Sequence, residues 1–159
     1  MRLYLVRHGE AVAQQLDPQR PLSEAGRAAV RRLARALRAA AAVRAPGEVW
    51  HSSKLRAHQT AEELLAGLGL QAPLRQVAEL EPGADPGALL AALAAERSDL
   101  VLVGHLPSLA ELAALLVLGR AEAGAFVLQP ATVLCLEREP GQQRCAVRWM
   151  VEPGLFGGG

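Results

Sequence analysis

Three separated stretches carry residues that could do chemistry on an anion. Arg7 and His8 close the apolar run of "LYLVRHGEA"; Lys54 and Arg56 open the helical pattern "SSKLRAHQTAEELLAGLG"; His105 follows Gly104 at the end of "DLVLVGH". A guanidinium or imidazole at the lip of a core is costly unless something anionic meets it. A cation in the first turn of a helix also opposes the macrodipole, an offence that Arg56 commits and Lys54 repeats. An anion at that point removes the conflict, because free backbone N–H groups, the dipole and the guanidinium then act together. Two planar guanidinium forks suit a tetrahedral phosphoryl group better than a lone carboxylate, and Gly9 and Gly104 would let backbone approach it closely. With no metal-ligand spacing among the four histidines, no metal site and no cofactor are expected. The expected chemistry is nucleophilic: an imidazole attacks phosphorus while the cations stabilise charge on the equatorial oxygens.

The elements that must bring these residues together are legible as alternating apolar runs and helical patterns, the mark of a mainly parallel sheet. Arg2–Val6 reads as a strand. "PLSEAGRAAVRRLARALRAA" reads as a helix capped by Ser23, with Val30, Leu33, Leu37 and Ala41 on one stripe and Arg27, Arg31, Arg35 and Arg38 on a solvated face. "APGEVWHSS" holds a second strand, and the next helix is capped by Ser52 or Ser53 and stopped at Gly67 or Gly69. "LRQVAEL" is a third strand; Asp85 caps a helix that starts at Pro86, with Leu89, Leu90 and Leu93 inward. "DLVLVGH" is a buried strand, followed by a helix starting near Pro107 with Leu109, Leu112, Ala113 and Leu116 inward. "TVLCLERE" and "RCAVRWMV" close the chain as a hairpin. Ligands of such sheets bind outside the carboxyl ends of the strands, which is where Arg7, His8, Arg56 and His105 fall. The expected fold is a three-layer α/β/α sandwich with a mainly parallel central sheet, one domain over 1–153 and a frayed tail over 154–159.

Composition narrows the partners. The chain has 159 residues, 51% hydrophobic and 21% charged, with a net charge of +1. That balance argues against a nucleic-acid or membrane surface as partner, and no apolar run reaches the length of a membrane span. A cytoplasmic monomer is expected. Cys135 and Cys145 have neither disulfide-framework nor zinc spacing and are read as reduced thiols across the closing hairpin. There is no G-x-x-x-x-G-K, G-x-G-x-x-G, H-E-x-x-H or G-x-S-x-G motif.

These residues resemble the histidine phosphatase superfamily, the phosphoglycerate-mutase-like or "RHG" proteins. "LVRHGEA" is similar to its signature, "SSKLRAHQTAEEL" to its S-P-x-x-R-A-x-Q-T-A segment, "PLSEAGRAAVRRLA" to its L-T-x-x-G helix and "LVLVGHLPSL" to its late G-H strand. The similarity runs in order over nearly the whole chain. It implies His8 as the phosphorylated nucleophile and Arg7, Gly9, Arg56, His105 and Leu106 as the phosphate pocket. The superfamily often has an asparagine where Gln14 stands and a proline where Ser53 stands; Gln14 is expected to donate its amide from a longer reach. Glu79 is implied as the proton donor, with Glu81 and Glu10 as rivals. His51 and His58 flank the pocket helix as capping or surface residues.

The short chain and "GHLPSLAEL" resemble the SixA-type phosphohistidine phosphatases, which implies a shallow pocket open to phosphohistidine on a protein. Two other readings stand beside it: a phosphatase of a small phosphorylated metabolite, such as a sugar phosphate or nucleotide, and a phosphate-dependent binding module that has lost catalysis.

Overall fold

The computed structural model describes residues 1–122 and 124–157. At its centre β1 (Arg2–Arg7) runs parallel to β4 (Leu100–Gly104) on one side and antiparallel to β5 (Val133–Glu137) on the other. Beyond β4 lie β2 (Glu48–His51) and then β3 (Leu74–Gln76), both parallel, while β6 (Ala146–Val151) pairs antiparallel with β5. The order is β3-β2-β4-β1-β5-β6. The parallel majority is as expected, and the two antiparallel strands are the closing hairpin.

Side-chain alternation sorts the core into two faces. Leu3, Leu5, Leu100, Leu102, Leu134 and Leu136 join the cluster of α3 (Pro86–Leu93) and α4 (Ser108–Leu118). Tyr4, Val6, Val101, Val103, Val133 and Cys135 join that of α1 (Glu24–Ala39) and α2 (Leu55–Leu68). Leucines thus face one helix layer and mostly valines the other, where α1 and α2 pack closely through Gly67: a Cβ there would stand 2.5 Å from that of Ala34. At about 1.5–3 kcal/mol for each fully buried large apolar side chain, these two faces dominate the stability of the sandwich. Gly26 lets the start of α1 meet the loop after β1, where a Cβ would come within 2.2 Å of the Glu10 carbonyl oxygen. No helix among the described residues is long and apolar enough to cross a membrane.

Ser23 caps α1 by accepting from the Gly26 amide, and Asp85 caps α3 by accepting from Gly87, both as expected. Four expectations are corrected. Ala41 is not on the α1 stripe, because the helix ends at Ala39 and Ala41 is exposed with φ +47°. Arg27 and Arg31 are not merely solvated: both bond the buried Glu63 carboxylate of α2. Neither Ser52 nor Ser53 caps α2, whose flanking residue is Lys54 with no side-chain cap, and its stop is the left-handed Gly69. The third strand is three residues long and gives way to a 3-10 turn over Ala78–Leu80.

Cys135 and Cys145 are free and buried in different core clusters, so they do not face each other. Within 154–159, Gly154 to Phe156 belong to a 3-10 turn over Pro153–Phe156, while Gly158 and Gly159 lie outside the described residues.

Candidate active site

Register builds the site. Arg7 pairs with Gly104 across β1 and β4, and His51 with Val103 across β2 and β4, so three strands end at one level. The residues just past those ends are His8, His105 and Ser52. The rings of His8 and His105 lie 4.9 Å apart between centroids, and the His8 amide donates to the Gly104 carbonyl at 3.2 Å. Helix α2 starts beside them and delivers Arg56, whose Nε–H donates to His8 Nε2 at 3.4 Å. Thr60, one turn further on, ties the helix to the loop after β1: its hydroxyl accepts the Gly9 amide and donates to the Arg56 carbonyl. Arg7, His8, Arg56 and His105 are therefore one cluster, as the sequence led us to expect.

The electrostatics favour a neutral imidazole facing cations. His8 Nδ1–H donates to the Gly9 carbonyl at 2.7 Å, which leaves the lone pair on Nε2, the nitrogen facing Arg56. Burial, reinforced by the charges of Arg56, Arg7 and Arg20 against the Gly9 bond, lowers its pKa from 6.5 to about 4. Burial and the neighbouring His8 and Arg56 lower His105 from 6.5 to about 3. Both rings are neutral at pH 7. Arg7 donates from Nη1 to the Leu128 carbonyl at 2.7 Å, while its buried Nε has no partner. A buried donor left open costs about 1–3 kcal/mol, and a bound oxyanion is the group that would satisfy it.

The remaining candidates are placed less directly. Lys54 does not wait for an anion: its ammonium lies 3.6 Å from Glu81, which also accepts the Ser53 amide at the start of α2. Burial raises the Glu81 pKa, but the Ser53 bonds and Lys54 outweigh it and hold the carboxyl below its usual range. The field of Glu81 reaches both Arg56 and His105. Glu79, on the 3-10 turn, makes no side-chain hydrogen bond or ion pair among the described residues, and Glu10 turns away to accept from Ser23. Gln14 is exposed.

The Gly9 amide is taken by Thr60, and a Cβ on Gly9 would meet Leu22 and Val30 at 3.0 Å, so this glycine answers to packing against α1. Leu106 is partly exposed beside a cis peptide bond to Pro107. His51 and His58 stack edge-on at 4.8 Å and, with Lys54, Arg56 and Gln76, line an open groove of about 540 Å³.

The sequence does not mark Ser52, Thr60 or Arg20 as site residues. Ser52 read as a helix cap but bonds His105 Nε2 at 2.7 Å. Arg20 lies in a loop with φ +48°, where no periodic pattern marks it, yet its charge is felt by His8 and Arg56. Sequence spacing cannot show a contact made by loop geometry.

The depressed imidazoles have a consequence for stability. Unfolded histidines take up protons as the pH falls below 6.5, whereas folded His8 and His105 resist until about 4 and 3. Their contribution is fully present above pH 6.5 and is lost as the pH falls toward 3–4, on the order of 3 kcal/mol for His8 and more for His105. Denaturant unfolding between pH 7 and 4 should show a falling midpoint, with a smaller fall in His105→Gln; an equal fall in that variant would contradict the assignment.

Comparison with known proteins agrees with this geometry. The family model "Histidine phosphatase superfamily (branch 1)" matches residues 3–83, just over half of the chain. No curated protein sequence matches it. Among solved structures, the chain is similar to the protein histidine phosphatase SixA complexed with tungstate, at 25% identity and TM-score 0.86, covering 99% of this chain and 100% of that one. It is similar to a protein assigned as the phosphohistidine phosphatase SixA of Nakamurella multipartitia, at 26% identity and TM-score 0.75 over 96% and 95% of the two chains. A protein assigned as an alpha-ribazole-5'-P phosphatase of Escherichia coli shares the fold at 20% identity and TM-score 0.72, over 93% and 94%. With its strand-end cluster of two arginines and two histidines in family order, the chain belongs to the histidine phosphatase superfamily, branch 1, and within it is SixA-like.

Proposed function

We propose that the protein removes phosphate from phosphohistidine on a protein, through a phosphorylated His8. The observation that carries this reading is the His8 ring, neutral, desolvated and hydrogen-bonded through Nδ1 so that the Nε2 lone pair faces Arg56. His8 Nε2 attacks phosphorus as the bond from phosphorus to the substrate nitrogen breaks. The substrate imidazole leaves with that electron pair, neutral when its other nitrogen carries a proton. Arg7 and Arg56 hold the equatorial oxygens, with His105 beside them. Water then attacks the phosphoryl group on His8, Nε2 regains its lone pair, and inorganic phosphate departs with the proton that the water loses.

Three features support the phosphohistidine substrate. Glu81, whose field reaches the cluster, is held ionised at neutral pH and has no proton to give; a phosphoramidate with a protonated imidazole needs none, whereas an alkyl ester does. The groove beside Arg56 is open, and the similarity to SixA proteins extends over nearly the whole chain. Glu79 keeps the part of proton donor implied by resemblance only if it reaches the leaving group on substrate binding.

The deciding experiment compares kcat/KM for a phosphohistidine-bearing protein with that for a panel of sugar phosphates and nucleotides. The phosphoprotein should win by about a hundredfold or more. Preference for a metabolite would transfer the same mechanism to a small-molecule phosphatase, and no turnover of any substrate would leave a binding module.

A further inference from the structure

The hydroxyl of Ser52 is fully buried, 2.7 Å from Nε2 of His105, and also accepts the Lys54 amide at 3.3 Å. His105 is itself 4% exposed and neutral, so it carries one N–H, and which nitrogen holds it decides what the ring offers the crevice. Two arrangements are open. If Nε2–H donated to Ser52, the serine proton would have no acceptor among the described residues, at a cost of about 1–3 kcal/mol, and Nδ1 would turn a bare lone pair toward a bound oxyanion. If Ser52 O–H donates to Nε2, the hydroxyl both donates and accepts, and the ring proton sits on Nδ1. Only the second arrangement pairs the buried Ser52 hydroxyl as both donor and acceptor, and it leaves Nδ1–H as the donor free for a ligand.

We infer that Ser52 is a positioning residue that fixes His105 as the Nδ1–H tautomer, so that this ring is a neutral hydrogen-bond donor to the phosphoryl oxygens. The inference rests on the reading of the cluster as a phosphoryl site. It gives the two imidazoles opposite duties although both protonate Nδ1. In His8 that proton is spent on the Gly9 carbonyl and Nε2 is the reacting atom; in His105 Nε2 is capped by Ser52 and Nδ1–H is the working end. The segment before α2 thus orients a catalytic ring instead of capping its helix, which accounts for the absence of a side-chain cap there.

The test is a ¹⁵N–¹H correlation spectrum of the full chain with labelled histidine, at pH 7. His105 should show protonated Nδ1 and a hydrogen-bonded, unprotonated Nε2. In Ser52→Ala the signal should shift toward the Nε2–H form, with kcat reduced about tenfold and KM little changed. Ser52→Thr, which keeps the hydroxyl, should restore the tautomer and most of kcat. An Nε2–H signal in the wild-type protein overturns the inference without any variant, as does a Ser52→Ala protein with unchanged tautomer and kcat. Because the spectrum is read without substrate, its outcome is separate from whether the protein is a phosphatase: loss of all turnover in the wild type would strike the proposed function and leave the tautomer result intact.

Discussion

His8→Ala is expected to lower kcat by about ten-thousand-fold or more, the scale on which removal of a covalent nucleophile is felt. The reason is the division of labour between the rings. His105 is the nearest imidazole, 4.9 Å away between centroids, but its Nε2 is engaged by Ser52 and it faces the same cations without a free nucleophilic lone pair. No neighbouring ring can therefore take over the attack. The variant should nevertheless fold. It removes a desolvated group whose pKa is pushed down to about 4, and so one of the groups that make the native state sensitive to acid. Steady-state turnover together with denaturant midpoints at pH 7 and 5 checks both halves: activity lost, and acid sensitivity reduced. Retained turnover would show that His8 is not the nucleophile.

Arg56→Ala is expected to cost about a hundred- to a thousandfold in kcat/KM, typical for loss of one donor preorganised toward developing charge. Arg56 is half-buried at the start of α2, aimed at His8 Nε2, and burial already lowers its pKa; an anion in front of it would be met by a guanidinium stripped of much of its water. Arg56→Lys should recover little, since a point charge cannot reproduce the planar fork. Because Arg56 helps lower the His8 pKa, the acid limb of kcat/KM should move upward in Arg56→Ala. An unmoved limb with full activity in the lysine variant would remove Arg56 from the account.

How much of this was visible in the sequence depends on how local each feature is. Arg7, His8 and His105 could be placed because they end apolar runs, and a strand end in a parallel sheet is a location as well as a pattern. Arg56 was visible through its conflict with the helix dipole. Lys54 showed the same conflict and had a different resolution: its partner is Glu81, 27 positions away, and nothing in the spacing of the two announces the pair. Ser52 was misjudged because serine before a helix is ordinarily a cap, and only tertiary register reveals that His105 lies within reach. Glu63 likewise reads as one of many helix carboxylates until α1 is packed against α2 and Arg27 and Arg31 close on it.

The central claim, that turnover passes through phosphate held on His8, is tested most directly by rapid acid-free quenching during turnover of a labelled phosphohistidine protein, followed by mapping of the label within the enzyme. An acid-labile, alkali-stable phosphoryl group on the peptide containing His8, absent from His8→Ala, is the expected result. Label on another residue, or equal labelling of His8→Ala, would contradict it.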